Sequence, residues 1–331
     1  MTHRPEGAFF HDIDLSVVIP VFNEAELIDT LYDRLKSSLE LLAVRFEVIL
    51  INDGSRDETP RLLAEIAQKD NRFRVIHLAR NFGHQIAITC GIDHASGKAV
   101  MIMDADLQDP PEIIEKFYSK WKEGYEVIYA IRRNRKENAL KRLAYSSFYQ
   151  LLQKITSIEM PLDSGDFGLI DQKVVQVLRS LPERNRFVRG LRSWIGFKQV
   201  GLEYERDKRY AGEVKYTLSK LMKLALDGIF SFSFAPLRLA TYFGLTVSSL
   251  SFILGIIYLI QKLTVGIQPE GWASTMVIIL FLGGVQLLTI GIIGEYIGRI
   301  YDEVKSRPIY LISSQIGFPY KTIDRKESQN G

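Results

Sequence analysis

Apolar, β-branched runs recur along the first part of the chain, at residues 15–21, 46–51, 73–78, 98–103 and 127–131. They run on with little alternation, the pattern of strands buried on both faces. Between them, residues 25–42, 58–69, 85–94 and 111–122 carry apolar positions at helical spacing. Strand and helix in alternation predict an α/β fold, a mostly parallel sheet covered by helices on both faces. Such sheets bind ligands beyond the carboxyl ends of their strands. Three polar stretches fall at those ends: VVIPVFNE (17–24), INDGSRDET (51–59) and VMIMDADLQDPPE (100–112). Turn chemistry alone accounts for any one of them, but three at one edge suggest a site.

From about residue 234 the pattern changes. Residues 241–261 and 272–294 carry no charge, and each is about the 20 residues needed to cross a bilayer core. Just before them, Leu218, Leu221, Met222, Ala225, Ile229 and Phe232 follow helical spacing, with Lys220, Lys223, Asp227 and Ser231 on another face. That is the pattern of an amphipathic helix lying at a membrane interface. The expected organisation is a soluble domain over 1–212, a juxtamembrane helix over 213–234, two transmembrane helices within 235–298 and a tail over 299–331. Lys215, Lys220, Lys223 and Arg238 precede the pair, and Arg299, Lys305 and Arg307 follow it, whereas the link carries Lys262. By the positive-inside rule the soluble domain and both termini are expected on the cytoplasmic side of the cell (inner) membrane. Gly294 and Gly298 form a G-x-x-x-G that suits close helix contact, either within the chain or in a homo-oligomer built through the membrane helices.

Composition narrows the chemistry. A net charge of +3, scattered along the chain, gives no case for nucleic acid. The single cysteine, Cys90, excludes an internal disulfide and reads as a buried core thiol. The five histidines make no zinc-like cluster, and residues 1–14 lack the apolar core of a signal peptide. Neither a P-loop nor a G-x-G-x-x-G after the first strand is present. What stands out is Asp104-Ala105-Asp106. Residues two apart on an extended backbone face one side, and two carboxylates suit a hard divalent ion that shares its other positions with substrate phosphates. Asp109 is expected to cap the helix that follows, with Pro110 at its first position and Glu112 completing a capping box.

These stretches, together with GDFGLI (165–170), ERNRFVRGLRSWIGF (183–197), RYAGEVKY (209–216) and GEYIGRIYDEVKSRP (294–308), resemble the inverting family-2 glycosyltransferases of GT-A fold. Within that family they resemble the polyprenyl-phosphate enzymes, bactoprenol glucosyltransferases and dolichol-phosphate mannose synthases. The resemblance implies that Pro20, Asn23, Glu24 and Asp53 line a nucleotide pocket and that Asp104, Asp106 and Gln108 surround Mg²⁺ or Mn²⁺. It places Arg209 and Lys215 at the donor diphosphate, Arg132, Arg142 and Ser146 at the acceptor phosphate, and Asp166, with Asp106, at the catalytic centre. Gly168 and Val214 depart from the pattern of many relatives, which carry Arg and a small hydroxyl residue there.

The implied reaction is inverting transfer of a sugar, glucose from UDP-glucose foremost, to undecaprenyl phosphate, with a flippase acting downstream. Mannose or a modified aminoarabinose are the alternative sugars. A processive polysaccharide synthase and a non-catalytic nucleotide-sugar-binding protein are the rival classes. Family reasoning makes Asp166 the base. A phosphate monoester has a second pKa near 6, however, and needs little deprotonation at neutral pH. Asp166 then has an orienting role open to it.

Overall fold

The computed structural model describes residues 13–133, 164–184, 186–205, 233–265 and 271–318. These fall into two compact units, one of which takes the chain before residue 206 and after residue 307, the other the described residues between. The expected juxtamembrane helix lies almost wholly outside the described residues.

The first unit is built on an eight-stranded sheet in the order β7-β5-β6-β4-β1-β2-β3-β8. Its centre comprises β1 (Leu15–Val21), β2 (Phe46–Asn52), β3 (Phe73–Leu78) and β4 (Ala99–Ile102), all parallel. Every residue of β1, β2 and β4 is buried, which is why the runs read as continuous. On one flank β6 (Ser164–Asp171) runs antiparallel to both β4 and β5 (Val127–Arg133), and β7 (Gln199–Glu205) pairs parallel with β5. On the other, β8 (Ile312–Ile316) runs antiparallel to β3. The segment expected to be a tail thus supplies an edge strand. The sheet is the mostly parallel, mixed sheet of a GT-A-like fold, as the pattern predicted.

Helices α1 (Ile28–Leu41), α2 (Thr59–Lys69), α3 (His84–His94), α4 (Ile114–Lys122), α5 (Gln172–Ser180) and α6 (Val188–Trp194) complete the unit. In α1, Ile28, Leu31, Tyr32, Leu35 and Leu39 form one buried face. In α3, residues 87–92 are all buried, Cys90 among them. Burial pushes that thiol far above its ordinary range, which suits a core side chain and not a nucleophile. At Gly91 a Cβ would stand 2.2 Å from the Val18 side chain, so only glycine lets α3 lie this close to β1. At the amino end of the sheet, Glu47 is buried, ion-paired to Arg74 at 2.6 Å and hydrogen-bonded by Ser16 and Ser96.

One local expectation fails. The first turn after Pro110 is a 3-10 turn, Pro111–Ile113, and no side chain caps it. Asp109 is fully buried instead, accepting a hydrogen bond from the Tyr204 hydroxyl, and Glu112 makes a two-pronged pair with Arg34. Long-range partners outcompete the local cap.

The second unit contains α7 (Ala235–Val265) and α8 (Trp272–Val304), both long and apolar enough to cross a membrane. Their apolar side chains are largely exposed, as lipid-facing residues are. The spans expected at 241–261 and 272–294 lie within them. Near the open end of the pair, the Tyr296 hydroxyl donates to the Ser233 carbonyl at 2.7 Å, and the Phe234 and Tyr296 rings stack.

Candidate active site

The first two motifs are tied to each other at the ends of β1 and β2. Asn23, in the left-handed region at φ 55°, accepts from the Arg56 N–H and donates its own N–H to the Ser55 hydroxyl, both at 2.9 Å. The Glu24 N–H bonds Thr59 Oγ1 at 3.0 Å. Pro20 is buried inside β1 opposite Ile51. Asp53 is buried as well, and its two oxygens accept the backbone N–H groups of Phe82 (2.7 Å) and Gly83 (2.9 Å). Burial raises its carboxyl above the ordinary value, against those two donors. Asp53 therefore fastens the loop after β3. Gly54 makes that possible: it sits at φ +70°, and a Cβ would meet the Arg80 and Asn81 backbone at 2.5 Å.

The DAD motif follows β4 directly. Asp104, Asp106 and Gln108 are part-exposed and alternate with buried Ala105, Leu107 and Asp109 along the turn. Asp106 accepts its own turn's Gln108 N–H at 3.1 Å. Asp166 joins them from β6, where Phe167 points into the core against Phe117 and Tyr204 and turns its neighbour outward. Between the two carboxylates stands His84, the first residue of α3, with Nε2 3.4 Å from Asp104 and 3.6 Å from Asp166.

The two carboxylates are held in opposite conditions. Burial, with Asp109, Asp166 and Asp106 adding to it, pushes Asp104 up to about 6 despite His84. Burial also opposes charge on Asp166, but His84, Arg189 and Arg192 outweigh it and hold that carboxyl well below the ordinary range. Burial works against a charge on His84 too, yet Asp166 and Asp104 raise its imidazole. Arg192 is fully buried, which lowers its guanidinium to about 10, and it donates to the Gly165 carbonyl at 3.3 Å.

Gln85 fixes this geometry. Its Oε1 accepts the Val188 N–H at the start of α6 (2.9 Å), which leaves Nε2 to donate to Asp166 (2.8 Å). One amide thus ties α3, β6 and α6 together, and α6 brings Arg189 Nε to 3.5 Å from Asp166. His84, Gln85, Arg189 and Arg192 were not singled out from the sequence. Their available signal was position: His84 and Gln85 open a helix just past a parallel strand end.

A cavity of about 820 Å³ adjoins the first two motifs. It is lined by Phe22, Asn23, Asn52, Gly54, Ser55 and Arg56, by residues 77–81 at the end of β3 and just beyond it, and by Ser313 and Ser314 of β8, among others. Of the four residues expected at a nucleotide, Asn23 lines it, whereas Pro20, Glu24 and Asp53 do not. Arg132 is described only through its backbone, paired with Tyr204, and Arg142, Ser146, Arg209 and Lys215 lie outside the described residues.

Whether the site fits a metal ion turns on Asp104. Its Oδ1 is buried with no hydrogen-bond partner, and three other carboxylates crowd it. Among the described residues no group of three acidic, histidine or cysteine side chains is arranged to hold an ion alone. The donor set fits a cation that takes the rest of its shell from a ligand.

A GT-A-like sheet with carboxylates and a large polar cavity beyond its strand ends defines the class: a glycosyltransferase. Residues 16–179 match Glycosyl transferase family 2, and residues 235–300 match the GtrB C-terminal hairpin. The chain is 48% identical to the uncharacterized glycosyltransferase YkcC of Bacillus subtilis, over 95% of this chain and 98% of that one. It is 45% identical to the uncharacterized glycosyltransferase sll0501 of Synechocystis (95% and 99%) and 45% identical to the bactoprenol glucosyl transferase of Shigella phage SfII (90% and 97%). The chain belongs to glycosyltransferase family 2, in the branch that carries the GtrB-type hairpin.

Proposed function

We propose that the enzyme transfers a sugar from a nucleoside-diphosphate sugar, UDP-glucose foremost, to undecaprenyl phosphate at the cytoplasmic face of the membrane. The observation that carries this reading is the pairing of the crowded Asp104 carboxylate, whose buried Oδ1 accepts no hydrogen bond and has His84 at 3.4 Å, with the 820 Å³ cavity. One segment, residues 79–84, lines the cavity at one end and places His84 beside Asp104 at the other. The bactoprenol glucosyl transferases support the lipid acceptor. The sheet takes β7 from before the apolar pair and β8 from after it, which requires an even number of crossings and supports both ends on one side.

In this reading Asp104, Asp106 and Gln108 hold Mg²⁺ or Mn²⁺, which supplies positive charge to the donor diphosphate. An acceptor phosphate oxygen attacks the anomeric carbon with inversion, and the bond to the diphosphate breaks. Asp166, kept ionised by His84, Arg189 and Arg192, is a poor proton acceptor. It acts instead as a fixed anion that orients Arg189 and His84, while the dianionic acceptor needs no base. Arg132, Arg142 and Ser146 hold the acceptor phosphate, and Arg209 and Lys215 the leaving diphosphate.

The test offers labelled nucleotide sugars to purified protein with undecaprenyl phosphate and Mg²⁺ or Mn²⁺, with Asp106→Ala as control. One labelled lipid, lost without metal and in the control, is expected. No lipid product from any donor, despite nucleotide-sugar binding, would sink the lipid-acceptor reading.

A further inference from the structure

The cavity has a wall to which the family-2 motifs quoted above contribute only Asn52. In the sheet register Asn52 pairs with His77, and His77 pairs with Ser314. Directly paired residues project on the same face. Three polar side chains from β2, β3 and β8 therefore form one row, and all three line the cavity. The last of them belongs to the strand that follows both apolar helices.

The hydrogen bonds along this row fix its polarity. Asn52 Oδ1 accepts the Ser55 N–H at 3.0 Å, so its Nδ2 must be the donor to His77 Nδ1 at 2.9 Å. His77 Nδ1 is then the bare nitrogen, and Nε2 carries the hydrogen. Burial lowers the His77 pKa and favours this neutral form. Ser313 is committed, donating to the His77 carbonyl at 3.0 Å. The Ser314 hydroxyl has no partner among the described residues and can donate or accept. What the row offers a ligand is an N–H beside a hydroxyl.

We propose that Asn52, His77 and Ser314 read the nucleobase of the donor, and that they select a base with a carbonyl next to a ring N–H. Uracil and guanine have that edge on the side away from the ribose; in that placement the C4 carbonyl of uracil or the C6 carbonyl of guanine accepts from His77 Nε2 and the ring N–H donates to Ser314. Cytosine and adenine present an amino group where the carbonyl would be, which sets donor against donor at His77. Asn52 is a positioning residue that sets the His77 tautomer. The inference rests on the nucleotide-sugar reading, since it assigns the base end of that ligand.

The experiment is equilibrium binding of UDP, GDP, CDP and ADP, each with Mn²⁺, to the detergent-solubilised full chain, followed by calorimetry. UDP or GDP is expected to bind at least about tenfold more tightly than CDP and ADP, the cost of one mismatched buried contact. His77→Phe and Ser314→Val are each expected to weaken the preferred nucleotide about tenfold and leave CDP and ADP within twofold, flattening the preference. Ser314→Val changes an exposed position on an edge strand to a good strand former, so it reports even where His77→Phe is misfolded. Preference for CDP or ADP, equal binding of all four, or a preference unaltered by Ser314→Val would overturn the base-reading row. Failure of all four nucleotides to bind would overturn the nucleotide-sugar reading beneath it.

Discussion

Replacing Asp104 by Asn should stabilise the metal-free protein at neutral and higher pH. The carboxyl is raised from 3.8 to about 6 by burial and by its acidic neighbours. A shift of roughly two units corresponds to ~3 kcal/mol that the folded state loses by keeping this group ionised. Asparagine fills nearly the same volume without the charge. Because the folded pKa lies above the unfolded one, the penalty is absent below the unfolded value near 4, grows between about 4 and 6, and is fully present above that. Thermal unfolding of the solubilised full chain in chelator, scanned from pH 4.5 to 8, reads it directly. For a domain of this size ~3 kcal/mol is an upward shift of about 6–12 °C at pH 8, shrinking as the pH falls. Added Mn²⁺ should raise the wild-type melting temperature at pH 8 and leave the variant unmoved. If Asp104→Asn melts below wild type at pH 8 in chelator, Asp104 is not a strained carboxylate awaiting a cation, and the metal assignment loses its physical basis.

Two further outcomes follow from the same geometry. Asp166→Asn should lower kcat by about a hundredfold or more, the scale of losing a preorganised charge; under the proposed orienting role the pH profile of the remaining rate should show no recovery toward pH 9, and full recovery would reinstate the simple base. Gly54→Ala sets a Cβ at 2.5 Å from the Arg80 and Asn81 backbone in a left-handed conformation. It should cost about 2 kcal/mol or more in denaturant unfolding and weaken nucleotide binding, and a variant as stable as wild type would contradict that packing.

The central sheet was legible because its strands are buried on both faces, and a run such as LSVVIPV has no other economical home. The edge strand β8 was not: ISSQI carries three exposed residues at its centre, and its pairing with β3 is decided by register, not by pattern. Asp104 and Asp106 were legible because acidic residues at a strand end are conspicuous in a short window, whereas Asp166 was reached only through the family resemblance. His84, Gln85, Arg189 and Arg192 were not, since each acquires meaning only when β6 brings Asp166 between α3 and α6. Asp109 shows the limit most plainly. Its local sequence reads as a helix cap, while its partner, Tyr204, lies 95 residues away.

Strand β8 also sets an order of events during synthesis. The contact between His77 and Ser313 spans 236 residues, and both apolar helices lie inside that interval. A chain leaving the ribosome amino end first can assemble β1 to β4 early, yet the polar cavity gains its last wall only after the second apolar helix has been made and left behind. Both apolar helices are therefore synthesised before the pocket can be completed. A nascent or truncated chain ending within the hairpin would have its inner strands and lack that wall, so the cavity depends on residues made after both apolar helices.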